Sequence, residues 1–508
     1  MLQRLALYLL AALAGASTVL AFAPYRLYWV ALLALTVLVL LLQRWPQRAF
    51  GIGWSWGVAA YTSQFYWIYI SLHDIAGMPA LLAGAMTLLL PMYLALYPGL
   101  ASWLSVRMHD RPAVRWLLLF PAAWTLGEWL RSWVMTGFPW GAIGYSQITE
   151  SPLSGLAPVG GIHAVTLAVA LSAGILGLLP QAGLQTARRA ALGGLLLALW
   201  GSAAWLQQQS WTTPAGPAMR VALLQGNIPQ ALKWDPATFD YTLATYYRMV
   251  VQAPAANLIL LPETALPVFL DDLPSGYLTM INGAADRKGS TLIAGLPRRT
   301  PDGRGYLNAV IALNQPAQDY YAKNHLVPFG EFIPLPAITG WLYRFMNMPL
   351  AGFTPGGDNQ PPLTVGQQKV AFNICYEDGF GEELIGPAAN ATILANVSNL
   401  AWFGKSNAMS QHLQLSQARA LETGRPMLRA TNTGMTAAID HRGELIAAAA
   451  PDTRQTLLAT VQGHSGLTPY MRHGNAPVLM LCVALLLLAG GWGLWHRRTA
   501  QSNDHAAA

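Results

Sequence analysis

The sequence predicts a multi-pass α-helical membrane domain with about eight transmembrane helices, joined to one α/β layered domain. Hydrophobic residues make up 54% of the chain and charged residues only 10%, which is too apolar for an ordinary soluble protein. Several stretches approach the roughly 20 apolar residues that cross a bilayer as a helix. A block over about 217–466 instead holds nearly all the Asp, Glu and Lys, with strand-like and helix-like patches between turns.

Seven of the apolar stretches precede the polar block and one follows it. They lie at about 5–22, 27–43, 50–72, 80–106, 114–134, 161–180, 188–206 and 477–495. The polar block, with roughly 250 residues, is long enough to bury its own core. We therefore predict four segments: a membrane domain with seven helices over 1–210, a globular domain over 217–466, an eighth helix over 477–495 and a tail over 496–508.

Arginines at the ends of the predicted helices indicate the orientation, because Lys and Arg are retained on the cytoplasmic side of short loops. One side carries Arg4, Arg44, Arg48, Arg107, Arg111, Arg115, Arg188, Arg189, Arg497 and Arg498, and the other carries Arg26 and Arg131. We expect both termini in the cytoplasm and the globular domain on the far side, which is the periplasm in a bacterial inner membrane. The net charge of +7 then reflects topology, so no nucleic-acid partner is expected. Cleavage of a signal peptide after the first stretch, an alternative that Ala21-Phe22-Ala23 suggests, leaves this orientation unchanged.

Cys375 is predicted to be a free thiol in the globular domain. The only other cysteine, Cys482, lies in a run of leucines near the C-terminus, so the two are not expected to meet. Without a second cysteine in its domain, Cys375 escapes an internal disulfide in an oxidising compartment. A free thiol beside charged residues can act as a nucleophile. The alternative is a small buried hydrophobic residue without chemistry.

Three predicted strands end in residues that together suit covalent acyl transfer. The strand from Asn257 delivers Glu263, the strand from Tyr320 delivers Lys323, and the strand from Lys369 delivers Cys375. Glu263 can take the thiol proton, the thiolate can attack a carbonyl, and Lys323 can stabilise the thiolate and the oxyanion. The backbone N–H of Tyr376 is a candidate second oxyanion donor. The residues alone also allow two roles without chemistry. Glu263 could be a neighbour of a helix N-cap, and Lys323 could be a solvated residue at a strand end.

Several motifs resemble the apolipoprotein N-acyltransferase family of the nitrilase, or carbon–nitrogen hydrolase, superfamily. The globular domain matches it in Gln225 to Gln230, Lys233-Trp234, Leu261-Pro262-Glu263-Thr264, Lys323 to Pro334 and Asn373 to Glu377. The membrane domain matches it in Thr136-Gly137-Phe138-Pro139-Trp140 and Gly144-Tyr145-Ser146-Gln147. A soluble amidase has no reason to contain the membrane motifs, so the resemblance is specific.

The resemblance implies an αββα nitrilase-like sandwich on an eight-helix membrane domain. It implies that Glu263 is the general base, Lys323 the electrostatic stabiliser and Cys375 the nucleophile. The implied reaction moves an acyl chain from a glycerophospholipid, typically phosphatidylethanolamine, to the α-amino group of the diacylglyceryl cysteine of an apolipoprotein. A thioester on Cys375 and ping-pong kinetics follow from it. Neither a metal nor an organic cofactor is implied, and we expect a monomer.

Other residues are predicted to support the site or to bind substrate. Glu331 is expected to orient the lysine or to serve as a second carboxylate near the thiol. Tyr376 and Glu377, which flank Cys375, are expected to shape the site. The candidates for substrate binding are Trp234, Asn308, Tyr343, Phe345 and Met346. The aromatic segment 341–353 is predicted to be a membrane-dipping lid, with a helix packed into the domain core as its alternative.

Two charged groups outside these motifs also have predicted roles. Arg419, Glu422 and Arg425 are expected to form structural ion pairs. Glu128 and Arg131 share a helix face and are expected to point at one another, at a lipid headgroup or at the helix end.

Two other functions compete with an acyltransferase. A membrane-anchored amidase or nitrilase would need only one anchor, so eight helices disfavour it. A non-enzymatic lipid-binding or transport protein would have no use for an intact Glu-Lys-Cys set, and the predicted helices have few polar residues at their centres.

Overall fold

The computed structural model describes residues 2–181, 183–233, 235–345 and 352–491. It forms two compact units. Among the described residues, the helical unit comprises 2–66, 84–209 and 473–491, and the α/β unit comprises Trp67–Ala83 and Ser210–Arg472. The predicted tail over 496–508 lies outside the described residues.

Helices occur at every predicted apolar stretch. Those of ten or more residues are α1 (Leu2–Ser17), α2 (Tyr28–Arg44), α3 (Ala49–Phe65), α4 (Ala80–Leu94), α5 (Leu96–Arg107), α6 (Phe120–Arg131), α7 (Ala157–Leu178), α8 (Thr186–Gln207), α9 (Phe239–Gln252), α10 (Tyr277–Asp286), α11 (Ala408–Thr423) and α12 (Ala476–Leu485). In the described residues, four segments are long and apolar enough to cross a membrane: Gln3–Ala21, Ala80–Arg107, Pro152–Leu178 and Thr186–Gln207. The pair Tyr28–Arg44 and Pro46–Phe65, bent by 113°, would make a fifth. A helical domain with several apolar helices is therefore confirmed, while the number eight stays a prediction.

The segment Trp67–Ala83 belongs to the α/β unit, although the sequence predicted a membrane helix as far as residue 72. Helix α3 ends at Phe65, and a short π-helical turn follows at Ile70–Ile75. The Trp67 ring packs edge-on against Phe403, with 4.6 Å between ring centroids. The chain from Trp67 onward therefore packs with the α/β unit and does not continue α3.

The α/β unit is built on two six-stranded mixed sheets. Its strands are β1 (Thr213–Pro214), β2 (Met219–Gln225), β3 (Leu258–Leu260), β4 (Thr291–Arg299), β5 (Tyr306–Ala312), β6 (Tyr320–Ala322), β7 (Leu363–Val365), β8 (Gln368–Ile374), β9 (Ile393–Ser398), β10 (Met427–Thr431), β11 (Ala437–Ile439), β12 (Leu445–Ala448), β13 (Gln455–Val461) and β14 (His464–Ser465). The sheet orders are β13-β2-β3-β4-β5-β6 and β12-β11-β10-β9-β8-β7, and β1 pairs with β14. Strands β2, β3 and β4 are parallel, as are β8, β9 and β10.

Alternating side chains of these strands pack in different layers. Leu258 and Leu260 face an apolar cluster that also contains Phe372 of the second sheet, so the two sheets pack face to face. Ile259 faces a separate cluster with α9 and α10. Helix α11 covers the outer face of the second sheet in a third cluster. The layers are therefore α, β, β and α, and the predicted nitrilase-like sandwich is confirmed. A continuously apolar strand such as β3 fits this arrangement because both of its faces are buried.

Gly295 on β4 lets the chain after β3 approach the sheet closely. A Cβ at this position would lie 2.5 Å from the carbonyl oxygen of Pro262 and 2.8 Å from Cα of Glu263. Thr264, the next residue, has φ 43°, in the left-handed region. The path of the Glu263 turn therefore depends on a residue without a side chain at position 295.

We predict that Gly295→Ala lowers the free energy of unfolding by about 1–3 kcal/mol, because the added methyl group overlaps backbone that cannot move freely. Gly283→Ala in α10 is the matched control, since its Cβ would meet only Arg287 Nη1 at 3.6 Å. Thermal unfolding of the purified full chain in detergent measures both. Equal melting temperatures for Gly295→Ala and the parent would contradict the prediction.

Candidate active site

The described structure brings the predicted glutamate and lysine together at strand ends of the first sheet. Glu263 follows β3, and Lys323 directly follows β6. Both are buried, with 7% and 1% of their surfaces exposed. The lysine Nζ lies 3.8 Å from Oε1 of Glu263 and 2.8 Å from Oε2 of Glu331. Glu331, predicted as a supporting residue, is therefore the closer ion-pair partner of the lysine.

Lys323 is held as a cation by its carboxylate neighbours. Burial alone would lower the pKa of this lysine, because a charged amine loses its hydration. The negative charges of Glu331 and Glu263, and the thiol of Cys375 when ionised, outweigh burial and raise the Lys323 pKa above its usual range. A permanent positive charge is what an oxyanion or a thiolate requires beside it.

Asn308 links the two carboxylates. Its Nδ2 donates to Oε1 of Glu263 at 2.8 Å and to Oε1 of Glu331 at 3.1 Å. Its backbone carbonyl accepts from the N–H of Lys323 at 2.8 Å. The sequence predicted a substrate contact here, and in the structure Asn308 is hydrogen-bonded to Glu263, Glu331 and Lys323.

The second oxygen of Glu263 is fixed from the other sheet. Oε2 accepts from the backbone N–H of Asn399 at 2.8 Å. The Asn399 side chain donates to Gln230 and accepts from Asn432. Asn432 in turn exchanges two hydrogen bonds with the backbone of Ile228. The sequence motif Gln225 to Gln230 therefore orients the glutamate through two asparagines.

Cys375 lies at the end of β8, on the first residue of a 3₁₀ turn over Cys375–Gly379. Its φ is 54°, a left-handed conformation that is uncommon for a residue with a Cβ. Burial of the thiol, and then the charge of Glu263, raise the pKa of Cys375, and Lys323 opposes them. The raised pKa favours the protonated thiol at neutral pH.

Glu377 binds backbone rather than the lysine. Its carboxylate accepts from the N–H groups of Asn324, His325 and Ile374 at 2.7, 3.0 and 2.6 Å. The hydroxyl of Tyr321 donates to it at 2.9 Å. Burial raises the pKa of Glu377 to about 7, although Lys323 and the N–H donors favour its ionised form. Glu377 thus ties the loop after Lys323 to the strand before Cys375.

Tyr376 and His325 pack together beside this carboxylate. The His325 ring stacks on Phe380 with 3.6 Å between centroids, and Tyr376 contacts Phe380 edge-on at 5.0 Å. The side chain of Tyr376 is therefore part of an aromatic cluster next to the nucleophile. The supporting role of Tyr376 stays a prediction.

Lys233 is a second buried lysine near the catalytic groups, for which sequence reasoning assigned no role. Its Nζ donates to the backbone carbonyl of Glu263 at 3.0 Å. Burial lowers the pKa of Lys233 to about 8, while the charges of Glu263 and Cys375 oppose this shift. The place of Lys233 in the motif, directly before Trp234, could have indicated a role at the site. A lysine at the end of a short helix is normally solvated, however, so the sequence alone did not suggest one.

The other residues predicted to bind substrate are Trp234, Tyr343, Phe345 and Met346. Trp234, Met346 and the side chain of Tyr343 lie outside the described residues. Phe345 is 43% exposed, and its ring contacts Trp341 edge-on at 6.1 Å. It contributes to an exposed apolar segment.

The predicted structural ion pair is present on α11. Arg419 and Glu422 are 3.0 Å apart, with 1% of each side chain exposed. Arg425, just after the helix, donates instead to the backbone carbonyls of Ala391 and Gly466. Arg419 and Glu422 therefore form the predicted ion pair, whereas Arg425 binds backbone carbonyls instead of a carboxylate.

Glu128 and Arg131 bind the loop of the helical unit that contains the two membrane-domain motifs, over residues 136–147. Glu128 accepts from the backbone N–H of Ile143 and the hydroxyl of Thr166, both at 2.8 Å. Arg131 donates to the carbonyl of Trp140 at 2.8 Å. The sequence predicted contacts with each other, a headgroup or the helix end. The structure instead shows both side chains hydrogen-bonded to the backbone of this loop. These bonds satisfy backbone groups whose burial without a partner in an apolar unit would be costly.

Comparison with known proteins defines the class of protein first. The family model described as carbon–nitrogen hydrolase matches residues 220–470, which span both sheets and the catalytic strand ends. Among solved structures, an amidase of the nitrilase superfamily from Nesterenkonia AN1 aligns with a TM-score of 0.38 and 20% identity, over 52% of this chain and 97% of that one. By the family match over residues 220–470, the α/β unit contains a carbon–nitrogen hydrolase domain.

The particular family follows from the rest of the chain. The model described as apolipoprotein N-acyltransferase N-terminal domain matches residues 14–175. The apolipoprotein N-acyltransferase of Chromobacterium violaceum is 64% identical over 97% of this chain and 95% of its own length. That of Neisseria meningitidis serogroup A is 48% identical over 93% and 94%. The chain belongs to the apolipoprotein N-acyltransferase family, so the predicted enzyme class is confirmed.

We predict that Asn308→Asp slows acylation of the active-site cysteine about ten- to hundredfold, because it removes a donor to two buried carboxylates and adds a third negative charge. The matched control is Asn257→Asp, at an exposed asparagine whose Oδ1 only accepts from the N–H of Arg220. Single-turnover mass spectrometry measures both rates. Parent-like acylation of Asn308→Asp would show that the bridge is dispensable.

We also predict that acylation of Cys375 slows as the pH rises through about 8, because Lys233 then loses the charge that acts on the thiolate. Below that pH the amine is protonated and its effect is complete. Lys233→Arg keeps the charge and should move the alkaline decline upward by at least one pH unit. Lys369→Arg, at an exposed lysine, serves as the control. An unchanged decline in Lys233→Arg would exclude this role.

Proposed function

We propose that this protein transfers an acyl chain from a glycerophospholipid, with phosphatidylethanolamine as the expected donor, to the α-amino group of a diacylglyceryl-cysteine apolipoprotein. The supporting observation is the buried group of Glu263, Lys323 and Glu331 whose charges act on the thiol of Cys375. Family membership supplies the acceptor class, because the relatives are named apolipoprotein N-acyltransferases.

The first half-reaction forms a thioester. The sulfur of Cys375 attacks the ester carbonyl of the phospholipid while its proton moves to Glu263. Lys323 stabilises the oxyanion, and the N–H of Tyr376 is the proposed second donor. When the tetrahedral intermediate collapses, the C–O bond breaks, and Glu263 returns the proton to the departing alkoxide of the lysophospholipid. The raised pKa of Cys375 favours transfer of the proton during the attack over a free resting thiolate.

The second half-reaction delivers the chain to an amine. The neutral α-amino group of the acceptor attacks the thioester, and Glu263 accepts a proton from the new ammonium. The C–S bond breaks, an amide forms, and the proton returns to the sulfur. Amines attack thioesters readily whereas water reacts slowly, so a thioester intermediate favours transfer over hydrolysis. Ping-pong kinetics follow from this sequence.

The two substrates are lipids, so the site needs access from a bilayer. An apolar segment of the α/β unit supports this access, with exposed side chains at Leu335, Ile338, Trp341 and Phe345. Their exposed fractions range from 43% to 68%, and such apolar and aromatic groups suit the membrane interface. We propose that this segment admits acyl chains. The further proposals are an inner-membrane location, a periplasmic catalytic domain and a monomeric enzyme.

The proposed thioester is tested by intact-mass analysis after incubation of the full chain with phosphatidylethanolamine. We expect a mass gain of one acyl chain in the parent and none in Cys375→Ala. The matched control is Cys482→Ala, which removes the other cysteine and should acylate like the parent. Addition of a diacylglyceryl-cysteine peptide should discharge the adduct within one turnover, whereas buffer alone should not.

Two outcomes contradict the proposal. An adduct that remains in Cys375→Ala would place the acyl group on another residue. An adduct on Cys375 that water removes as fast as the peptide does would indicate a membrane-anchored hydrolase.

A further inference from the structure

The backbone of the nucleophile is held by a buried polar cluster that lies outside the Glu-Lys-Cys set. The carbonyl oxygen of Cys375 accepts two hydrogen bonds, from Nε2 of His412 at 3.0 Å and from Nδ2 of Asn396 at 3.2 Å. His412 is on α11 and Asn396 on β9, and neither is measurably exposed. Two separate elements thus bind one carbonyl group.

The hydrogen-bond pattern sets the tautomer of His412. Nη2 of Arg429 lies 2.7 Å from Nδ1 of the ring, and a guanidinium group can only donate. Nδ1 therefore accepts, and the ring hydrogen is on Nε2, facing the carbonyl. Burial and the charge of Arg429 lower the pKa of His412 well below its usual value, so the ring stays neutral.

Arg429 is anchored in turn. Its Nη1 lies 3.1 Å from Oδ2 of Asp378 and 2.9 Å from Oγ of Ser416, and Ser416 also donates to Asp378. Arg429, Asp378 and Ser416 are all fully buried. A buried ion pair with further hydrogen bonds keeps a fixed geometry. Arg429 therefore fixes the position of the His412 ring, and the ring fixes the position of the Cys375 carbonyl.

The fixed carbonyl determines where the next N–H points. The peptide between Cys375 and Tyr376 is planar and trans, so the N–H of Tyr376 lies on the side opposite the Cys375 carbonyl. Because His412 and Asn396 bind that carbonyl, the N–H of Tyr376 points away from these two residues.

We propose that His412 and Asn396 are positioning residues that fix the Cys375–Tyr376 peptide plane and so orient the Tyr376 N–H as an oxyanion donor. The inference rests on the proposed function, because it needs Cys375 to be the nucleophile. Its specific claim is that the cluster serves oxyanion stabilisation rather than thiol reactivity alone.

Two reactions of the same thiol separate these roles. Acylation by p-nitrophenyl butyrate passes through a tetrahedral oxyanion, whereas alkylation by iodoacetamide displaces iodide without forming one. Both rates are measured on the full chain in detergent, as the mass gain that depends on Cys375. The ratio of the acylation rate to the alkylation rate reports the oxyanion donors, and a general loss of folding or thiol access lowers both rates.

We expect His412→Phe to lower acylation about ten- to hundredfold, the order found when an oxyanion donor is lost. Alkylation should change by less than about threefold, so the ratio falls. His412→Gln, which offers an amide donor to the same carbonyl, should restore much of the ratio. The matched control is Gln417→Leu, which removes another buried donor of α11, to the carbonyl of Gly443. It should leave the ratio unchanged.

The inference is overturned if acylation and alkylation fall in the same proportion, or if neither falls. If His412→Phe does not fold, Asn396→Asp removes the second donor, and the same comparison decides. The small ester keeps this test apart from the proposed function. A parent that reacts with the ester but not with phosphatidylethanolamine would refute the phospholipid donor while the role of His412 is still decided by the ratio.

Discussion

One buried ammonium group shared by two carboxylates is the interaction on which the site depends. Lys323 lies between Glu331 and Glu263, and Asn308 spans the same two carboxylates. Removing any one member leaves an uncompensated charge or donor in a low-dielectric interior, which is far more costly than losing an exposed ion pair. The strand ends, the close turn at Gly295 and the asparagine network all serve to keep this group in place.

In the proposed mechanism, this charge balance allows a thiol with a raised pKa to act as a nucleophile. A free thiolate would add a negative charge next to Glu263, and burial would penalise it further. Transfer of the proton to Glu263 during the attack moves the charge without adding to it. The buried Lys233 adds a positive charge that depends on pH, which distinguishes this site from one with a single lysine.

The sequence predicted the parts of the molecule that depend on local pattern. Apolar runs followed by Glu263, Lys323 and Cys375 indicated strand ends, and the structure has these residues after β3, β6 and β8. The number of membrane-crossing helices was less accessible, because bends and aromatic contacts such as that of Trp67 shorten apolar spans. The hydrogen bonds of Asn308, Asn399 and His412 could not be predicted, since each residue binds partners that are distant in the sequence.

Glu377 has a mechanical consequence. One carboxylate binds the N–H groups of residues 324, 325 and 374, so the chain after the lysine and the chain before the cysteine move as one body. If the proposed lipid substrates enter the site, the exposed apolar segment around Trp341 lies outside this bonded frame and is the proposed place for them to enter. In the proposed enzyme, variation in the acyl chain would then be accommodated at this segment, while Glu377 keeps the spacing of the strand ends that carry Lys323 and Cys375.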